Sequence, residues 1–229
     1  MLGVLMLDTR FPRIVGDIGN PATFSSPVRH ATVRGASPQR VVREGDASLL
    51  QCFIDAGLTL VRDGATAITT SCGFLVLFQS ELQAALPVPV WTSSLLLLPE
   101  LQAGLAPGRA AGVVTVDAAS LGAQHLRCTG ASAHTPVEGL ATGCAFQRTL
   151  LNDEPWLDVD AARQATVDAA LRLVSRHPEV ATIVLECTNM PPYIDAVRTA
   201  TGRSVYGITD LIARRLKPVQ PSLHGESRP

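Results

Sequence analysis

The sequence predicts an α/β protein of two similar halves, each built on a parallel sheet, with an active-site cleft between them. Three observations lead there. Short β-branched apolar runs alternate with longer helical stretches along the chain, as strand–helix–strand units require. The chain also repeats itself: Gly3-Val4-Leu5-Met6-Leu7-Asp8 reads against Gly112-Val113-Val114-Thr115-Val116-Asp117, an offset of 109 residues, and Ile68 with Ile183, Val90 with Val205 and Leu96 with Leu211 pair at an offset of 115. Finally, Cys72 and Cys187 share that second offset, each where a strand should hand over to a helix.

In order, Gly3 to Leu7 reads as a strand, followed by a polar Pro/Gly-rich loop from Thr9 to Pro38 of the length that lids and binding loops have. Ser37-Pro38 opens a helix running to Arg62, with Leu49, Leu50, Phe53, Ile54, Leu58 and Val61 at helical spacing. Ala65–Thr70 is a strand, Phe74–Leu86 a helix, Val88–Trp91 a strand and Leu95–Leu105 a helix. Ala106-Pro107-Gly108 is a turn, and the plan repeats: strand Ala111–Val116, a variable stretch, helix Val159–Arg176, strand Val180–Leu185, helix Tyr193–Thr201, strand Ser204–Tyr206 and a last helix near Asp210–Leu216. The halves are therefore Rossmann-like. The first covers 1–108 and takes back 209–229, the second covers 109–208, and 217–229 reads as a loose tail.

Hydrophobic residues make up 46% and charged residues 17%, with a net charge of −1 spread evenly, so a globular core is expected and neither nucleic acid nor a membrane surface is indicated as partner. Apolar runs such as Leu95–Leu98 are too short to span a bilayer. Five cysteines without CxxC spacing suit free thiols in a reducing cytoplasm, and no ligand spacing for zinc occurs. Lys217 is the sole lysine, so a Schiff-base cofactor has no lysine near the site and no cofactor is expected. A homodimer is the default assembly for an enzyme of this size.

Ligands of open parallel sheets bind beyond the carboxyl ends of the strands. Cys72, Cys187 and Asp8 fall there, beside Ser71, Gly73, Thr188 and Asn189, with Thr115 near the matching end in the second half. A cysteine before a helix should be drawn toward thiolate, and the N–H groups of Gly73, Thr188 and Asn189 could hold a carboxylate. Asp8 and Glu186 could manage thiol protons. In the long loop, Asn20 is favoured for substrate contact over a plain Asx-turn, and Arg10, Arg13 and Arg29 could meet an acidic substrate.

At Ser71-Cys72-Gly73 and Glu186-Cys187-Thr188-Asn189 the chain resembles the aspartate/glutamate racemase superfamily, which includes glutamate, aspartate and hydantoin racemases, maleate isomerase and arylmalonate decarboxylase. The resemblance covers roughly residues 3 to 216. It implies that Cys72 and Cys187 are opposed acid and base, that Asp8 lies near the first thiol, and that Thr188 helps bind the substrate carboxylate. Gly73-Phe74 and Asn189 stand where glutamate racemases carry Asn-Thr and His, so the substrate is left open. Arylmalonate decarboxylases keep only one of the two cysteines, so the motif pair sets this chain apart from them.

The leading expectation is a cofactor-independent amino-acid racemase or epimerase acting on an acidic amino acid such as aspartate or glutamate. A maleate-type isomerase or related cysteine-dependent lyase of the same fold is the first alternative. A non-catalytic ligand-binding domain is the second.

Overall fold

A computed structural model describes residues 1–216, so the expected tail at 217–229 lies outside the described residues. The first sheet is formed by β1 (Leu2–Leu7), β2 (Val28–Val33), β3 (Ala67–Thr70) and β4 (Val90–Trp91); the second by β5 (Ala110–Thr115), β6 (Val137–Gly139), β7 (Val180–Leu185) and β8 (Ser204–Tyr206). Their orders are β2-β1-β3-β4 and β6-β5-β7-β8, and every pairing is parallel. The internal repeat is written into the register. Gly3, Ile68 and Val90 stand side by side across the first sheet, as Gly112, Ile183 and Val205 do across the second.

All six residues of β1 are buried, as expected of a central strand covered on both faces. Gly3 and Gly112 sit at equivalent close approaches. A Cβ at Gly3 would lie 3.1 Å from Leu60 Cδ1, and one at Gly112 3.0 Å from Leu173 Cδ2, so in both sheets a helix residue packs tight against the same strand position.

The helices are α1 (Leu50–Arg62), α2 (Gln79–Ala85), α3 (Leu98–Ala103), α4 (Ala123–Arg127), α5 (Ala145–Leu151), α6 (Val159–Arg176), α7 (Ile194–Thr201) and α8 (Ile208–Arg215). The expected helix from residue 39 to 62 is broken. A π-helical turn at Gln39–Arg43 ends at Gly45, whose φ of +57° reverses the chain, and Asp46 then caps a 3-10 turn at Ala47–Leu49 by accepting from Ser48 N. The helices expected from Phe74 and Leu95 likewise begin as 3-10 turns, Gly73–Phe78 and Ser94–Leu97. The long first loop is shortened by β2, and the variable stretch of the second half holds α4, β6 and α5.

α8 buries Ile208, Leu211 and Ile212 against Leu2, Val4 and Met6 of β1, so the last helix packs on the first sheet. In the other direction, Gln102 of α3 accepts a hydrogen bond from Ala111 N of β5 at 2.9 Å. Each half thus lends the helix after its last strand to the other, which aligns the two sets of strand ends.

Candidate active site

In both sheets the chain reverses its winding at the central pair, β1 beside β3 and β5 beside β7, and a crevice opens there at the carboxyl ends. The residues that follow these strands, Ser71-Cys72-Gly73 and Glu186-Cys187-Thr188-Asn189, line one cavity together with Leu7, Phe11, Arg13, Pro38, Val42 and Phe74. Val116, Leu150 and Leu151 close it from the second half. It offers about 30 Å³ to the centre of a water-sized sphere, so the site is narrow.

Both thiols are buried, at 8% and 7% exposure, and both lie on this cavity. Cys72 has extended backbone, φ −151°, immediately before the 3-10 turn, which aims the residue out of the strand end. The expected lowering of the thiol pKa does not occur. Burial pushes Cys72 up to about 12, and the Glu186 carboxylate adds to the rise. The N–H groups of Phe74 and Leu75 and the charge of Arg13 offset only part of it. Cys187 is likewise pushed well above the ordinary thiol range by burial and then by Glu186, with partial relief from Asn189 N–H. Helix-end effects lose to desolvation here because a six-residue 3-10 turn follows Cys72, and no helical turn follows Cys187 before Pro191–Tyr193.

Glu186 sits behind the thiols, 1% exposed. Thr115 Oγ1 donates to its Oε2 at 2.7 Å, while among the described residues its Oε1 has no hydrogen-bond partner. Burial raises its pKa to about 7 against the pull of the Thr115 bond. Gly73 is required beside it: a Cβ there would lie 2.3 Å from Glu186 Oε1 and 2.6 Å from its carbonyl oxygen.

The halves are bonded at the motif itself, where Thr188 Oγ1 donates to Ser71 O at 2.6 Å and Ser71 Oγ accepts from Leu7 N at 2.8 Å. The Thr188 hydroxyl proton is therefore committed to the opposite half. Asn189 bridges as well: Oδ1 faces Cys187 Sγ at 3.5 Å, and Nδ2 donates to Asp17.

Three expected contacts fall elsewhere. Asp8 is exposed and does not line the cavity; its Oδ2 accepts from Gly35 N at 3.0 Å and caps the turn after β2. Asn20 is a local Asx-turn residue. Its Oδ1 accepts from Ala22 N and its Nδ2 donates to Arg13 O, both at 2.9 Å, and it does not line the cavity. Thr115 serves Glu186 instead of lining the cavity.

The loop reaches the cavity through Phe11, Arg13 and Pro38, and Asp17, three positions before Asn20, supports it from behind. Asp17 is 3% exposed, pairs with Arg13 at 3.0 Å, accepts from Gly19 N at 2.7 Å and holds Asn189. Arg13 is itself 11% exposed at its side chain, stacks over Phe11 at 4.7 Å, donates to Thr9 Oγ1 at 3.0 Å and faces the cavity. The i, i+4 pairing of Arg13 and Asp17 was the available sequence signal for this loop. By contrast, Arg10 is bound to Asp153, and Arg29 pairs with Asp63 on the surface. Among the described residues no three metal-ligating side chains converge, and no helix is long and apolar enough to cross a membrane.

No family model matches the sequence. Among solved structures, a cysteine-substituted variant of arylmalonate decarboxylase superposes with a TM-score of 0.62 at 18% identity, covering 93% of this chain and 92% of that one. An aspartate racemase homologue from Pyrococcus horikoshii does so with a TM-score of 0.53 at 12% identity, covering 93% and 96%. These likenesses show the fold of the aspartate/glutamate racemase superfamily, and it extends to the decarboxylase from which the motif pair had set the chain apart. The curated relatives that the chain matches include dimethylsulfoniopropionate lyases. A dimethylsulfoniopropionate lyase from Durusdinium sp. clade D is 33% identical over 214 residues, covering 90% of this chain and 70% of that protein. Dimethylsulfoniopropionate lyase 7 from Emiliania huxleyi is 31% identical over 217 residues, covering 90% of this chain but only 63% of the relative. On the fold of the aspartate/glutamate racemases, the chain belongs to the dimethylsulfoniopropionate lyase family.

Proposed function

We propose that the protein is a cysteine-dependent lyase that eliminates a neutral sulfide from a 3-sulfoniopropionate such as dimethylsulfoniopropionate. The observation that carries this reading is the pair of buried thiols on one narrow cavity, in a chain one third identical to such a lyase over most of its length. One cysteine thiolate removes a proton from the carbon next to the carboxylate. The pair left on that carbon forms the Cα=Cβ bond, and the Cβ–S bond breaks with its electrons on the departing sulfide. The products are an acrylate and the neutral sulfide, and the thiol returns its proton to solvent.

With its pKa pushed up to about 12, Cys72 is almost wholly protonated at neutral pH in the empty site, and the substrate supplies the remedy. A sulfonium brings a positive charge beside the thiols, which favours the thiolate by the same electrostatics through which Glu186 now opposes it. The substrate carboxylate, which gains charge as the proton leaves, has Arg13 and the backbone N–H groups after the two cysteines as its anchors.

Incubation with dimethylsulfoniopropionate in deuterium oxide tests the reading: dimethyl sulfide and acrylate should accumulate in equal amounts. No release of either product at enzyme concentrations that give measurable binding would sink it. The matched placement of two thiols favours one second reading, racemisation of an amino acid, in which one thiol abstracts and the other returns a proton. In the same solvent that reading predicts deuterium at Cα of aspartate or glutamate and decay of optical rotation, without elimination.

A further inference from the structure

We propose that Glu186 is a specificity-determining residue that receives the cationic head of the substrate on its Oε1 while Arg13 takes the carboxylate; the identity of that substrate rests on the lyase reading. A carboxyl oxygen without a partner costs several kcal/mol in an interior unless something arrives to satisfy it. Glu186 Oε1 is in that position, in a side chain 1% exposed, while its other oxygen is fixed by Thr115 at 2.7 Å. The free oxygen is held against the Cα of Gly73, where a Cβ would come within 2.3 Å, so the backbone at the first thiol is cut back to make room for it.

The charged side chains that line the cavity are Arg13 and Glu186, one of each sign. That pair matches a zwitterion. Phe11 and Phe74 add aromatic walls, which attract onium groups, and Val42 and Leu151 are apolar surfaces suited to methyl groups. A second carboxylate on the ligand would meet Glu186 as a like charge, so the arrangement selects against the acidic amino acids that the loop arginines first suggested. Asp17 does not compete for the cation, because Arg13, Gly19 N–H and Asn189 already engage it.

Two unreactive probes of one shape isolate the charge: 3-(trimethylammonio)propionate and its carbon isostere 4,4-dimethylpentanoate, both measured by calorimetry. The wild type should bind the cationic probe about 10-fold or more tighter, the ratio that one retained charge contact supports. Glu186→Gln should bring the two affinities within about 2-fold of each other, mainly by weakening the cationic probe. Equal affinities in the wild type, or a preference retained by Glu186→Gln, would overturn the assignment. Should that variant not fold, the wild-type preference followed from pH 8.5 down to 5.5 reads the same carboxylate. The preference should collapse as Glu186 protonates near 7, and a flat ratio overturns the proposal. The other titratable or charged groups around the site are Cys72, Cys187, Tyr193, Arg13 and Asp17, and the two thiols and the phenol are pushed above that window. Failure to release acrylate alongside an intact probe preference would remove the lyase reading and leave the role of Glu186 standing.

Discussion

The hydroxyl of Thr188 donates to the carbonyl of Ser71 across the two halves, joining the residue after one cavity thiol to the residue before the other. Both residues are buried, at 1% and 3% exposure, so the bond sits where water cannot replace it. It ties the spacing of the two cysteines to the packing of the two sheets. Thr188→Val keeps the shape and leaves the Ser71 carbonyl unpaired, which should cost about 1–3 kcal/mol in chemical denaturation. Turnover should fall more than substrate affinity, because the lesion loosens the placement of the thiols and leaves the anchoring groups in place. A variant of wild-type stability would show that the bond contributes nothing net.

The space reserved at Gly73 gives a second prediction. Its missing Cβ faces the Glu186 carbonyl oxygen at 2.6 Å, and a backbone atom cannot step aside as a flexible side chain would. Gly73→Ala should destabilise the fold by about 1–3 kcal/mol. It should also lower lyase activity by at least about 100-fold, since the displaced segment carries Cys72. Wild-type activity in Gly73→Ala would show that the approach is slack.

The two cysteines separate elimination from racemisation. Elimination needs one base, so one of Cys72→Ser and Cys187→Ser should lose acrylate formation by about 1,000-fold or more while the other keeps a measurable part of it. Racemisation needs both, and either serine would then abolish it. Equal and total loss of elimination in both variants would contradict the single-base scheme.

Glu186 also sets a pH dependence of stability. Its pKa rises from an ordinary 4.5 to about 7 on folding, so the folded state holds a proton that the unfolded chain has released. Stability therefore falls as pH rises from about 4.5 to about 7, by a total of about 3 kcal/mol from this group. Glu186→Gln carries no such proton. The variant-minus-wild-type difference in unfolding free energy should climb in favour of glutamine across that window and level off above it. A difference that stays flat between pH 4.5 and 7.5 would show that the carboxyl is not perturbed.

Much of this architecture was legible in the sequence, and the gaps have physical causes. β1, β3, β5 and β7 read clearly because almost wholly buried strands are short runs of apolar and β-branched residues, and the 109- and 115-residue offsets carried both thiols to their strand ends. β2 and β6 were missed because edge strands are half-solvated: Val28-Arg29-His30-Ala31-Thr32-Val33 buries only Val33, and β6 is three residues long. Cys72 and Cys187 could be found by position alone. Their raised pKa could not, because it depends on how closely Glu186 and the apolar walls close around them. Asp8 and Asn20 misled because strand-end and turn positions favour these residue types for local hydrogen bonding alone, and both are used that way here.

One wall of the cavity is the loop that carries Phe11 and Arg13, and Arg10 fastens that loop by its pairing with Asp153. Arg10 N donates to Asp153 Oδ1 at 2.6 Å, its Nε to Oδ2 at 3.0 Å and its guanidinium to the Asp153 carbonyl at 3.0 Å, so the first-half loop is fastened to the segment after α5 of the second half. Asp153 holds a left-handed backbone, φ 52°, which is strained for a residue with a side chain and is maintained by these bonds. Beyond this pairing, the loop carries Phe11 and Arg13 onto the cavity and Asp17 onto Asn189. Losing the pairing would therefore loosen two cavity-lining side chains together. Asp153→Ala removes the carboxylate bonds and keeps the strain, so residues 9–18 should exchange backbone hydrogens about 10-fold faster while β1 and β5 are unchanged. Asp153→Gly removes the bonds and the strain at once and should stabilise the segment after α5 relative to the alanine variant, without restoring the slow exchange of the loop. If loop exchange in Asp153→Ala matches the wild type, the loop is held by Asp17 and Asn189, and the Arg10 pairing adds nothing to it.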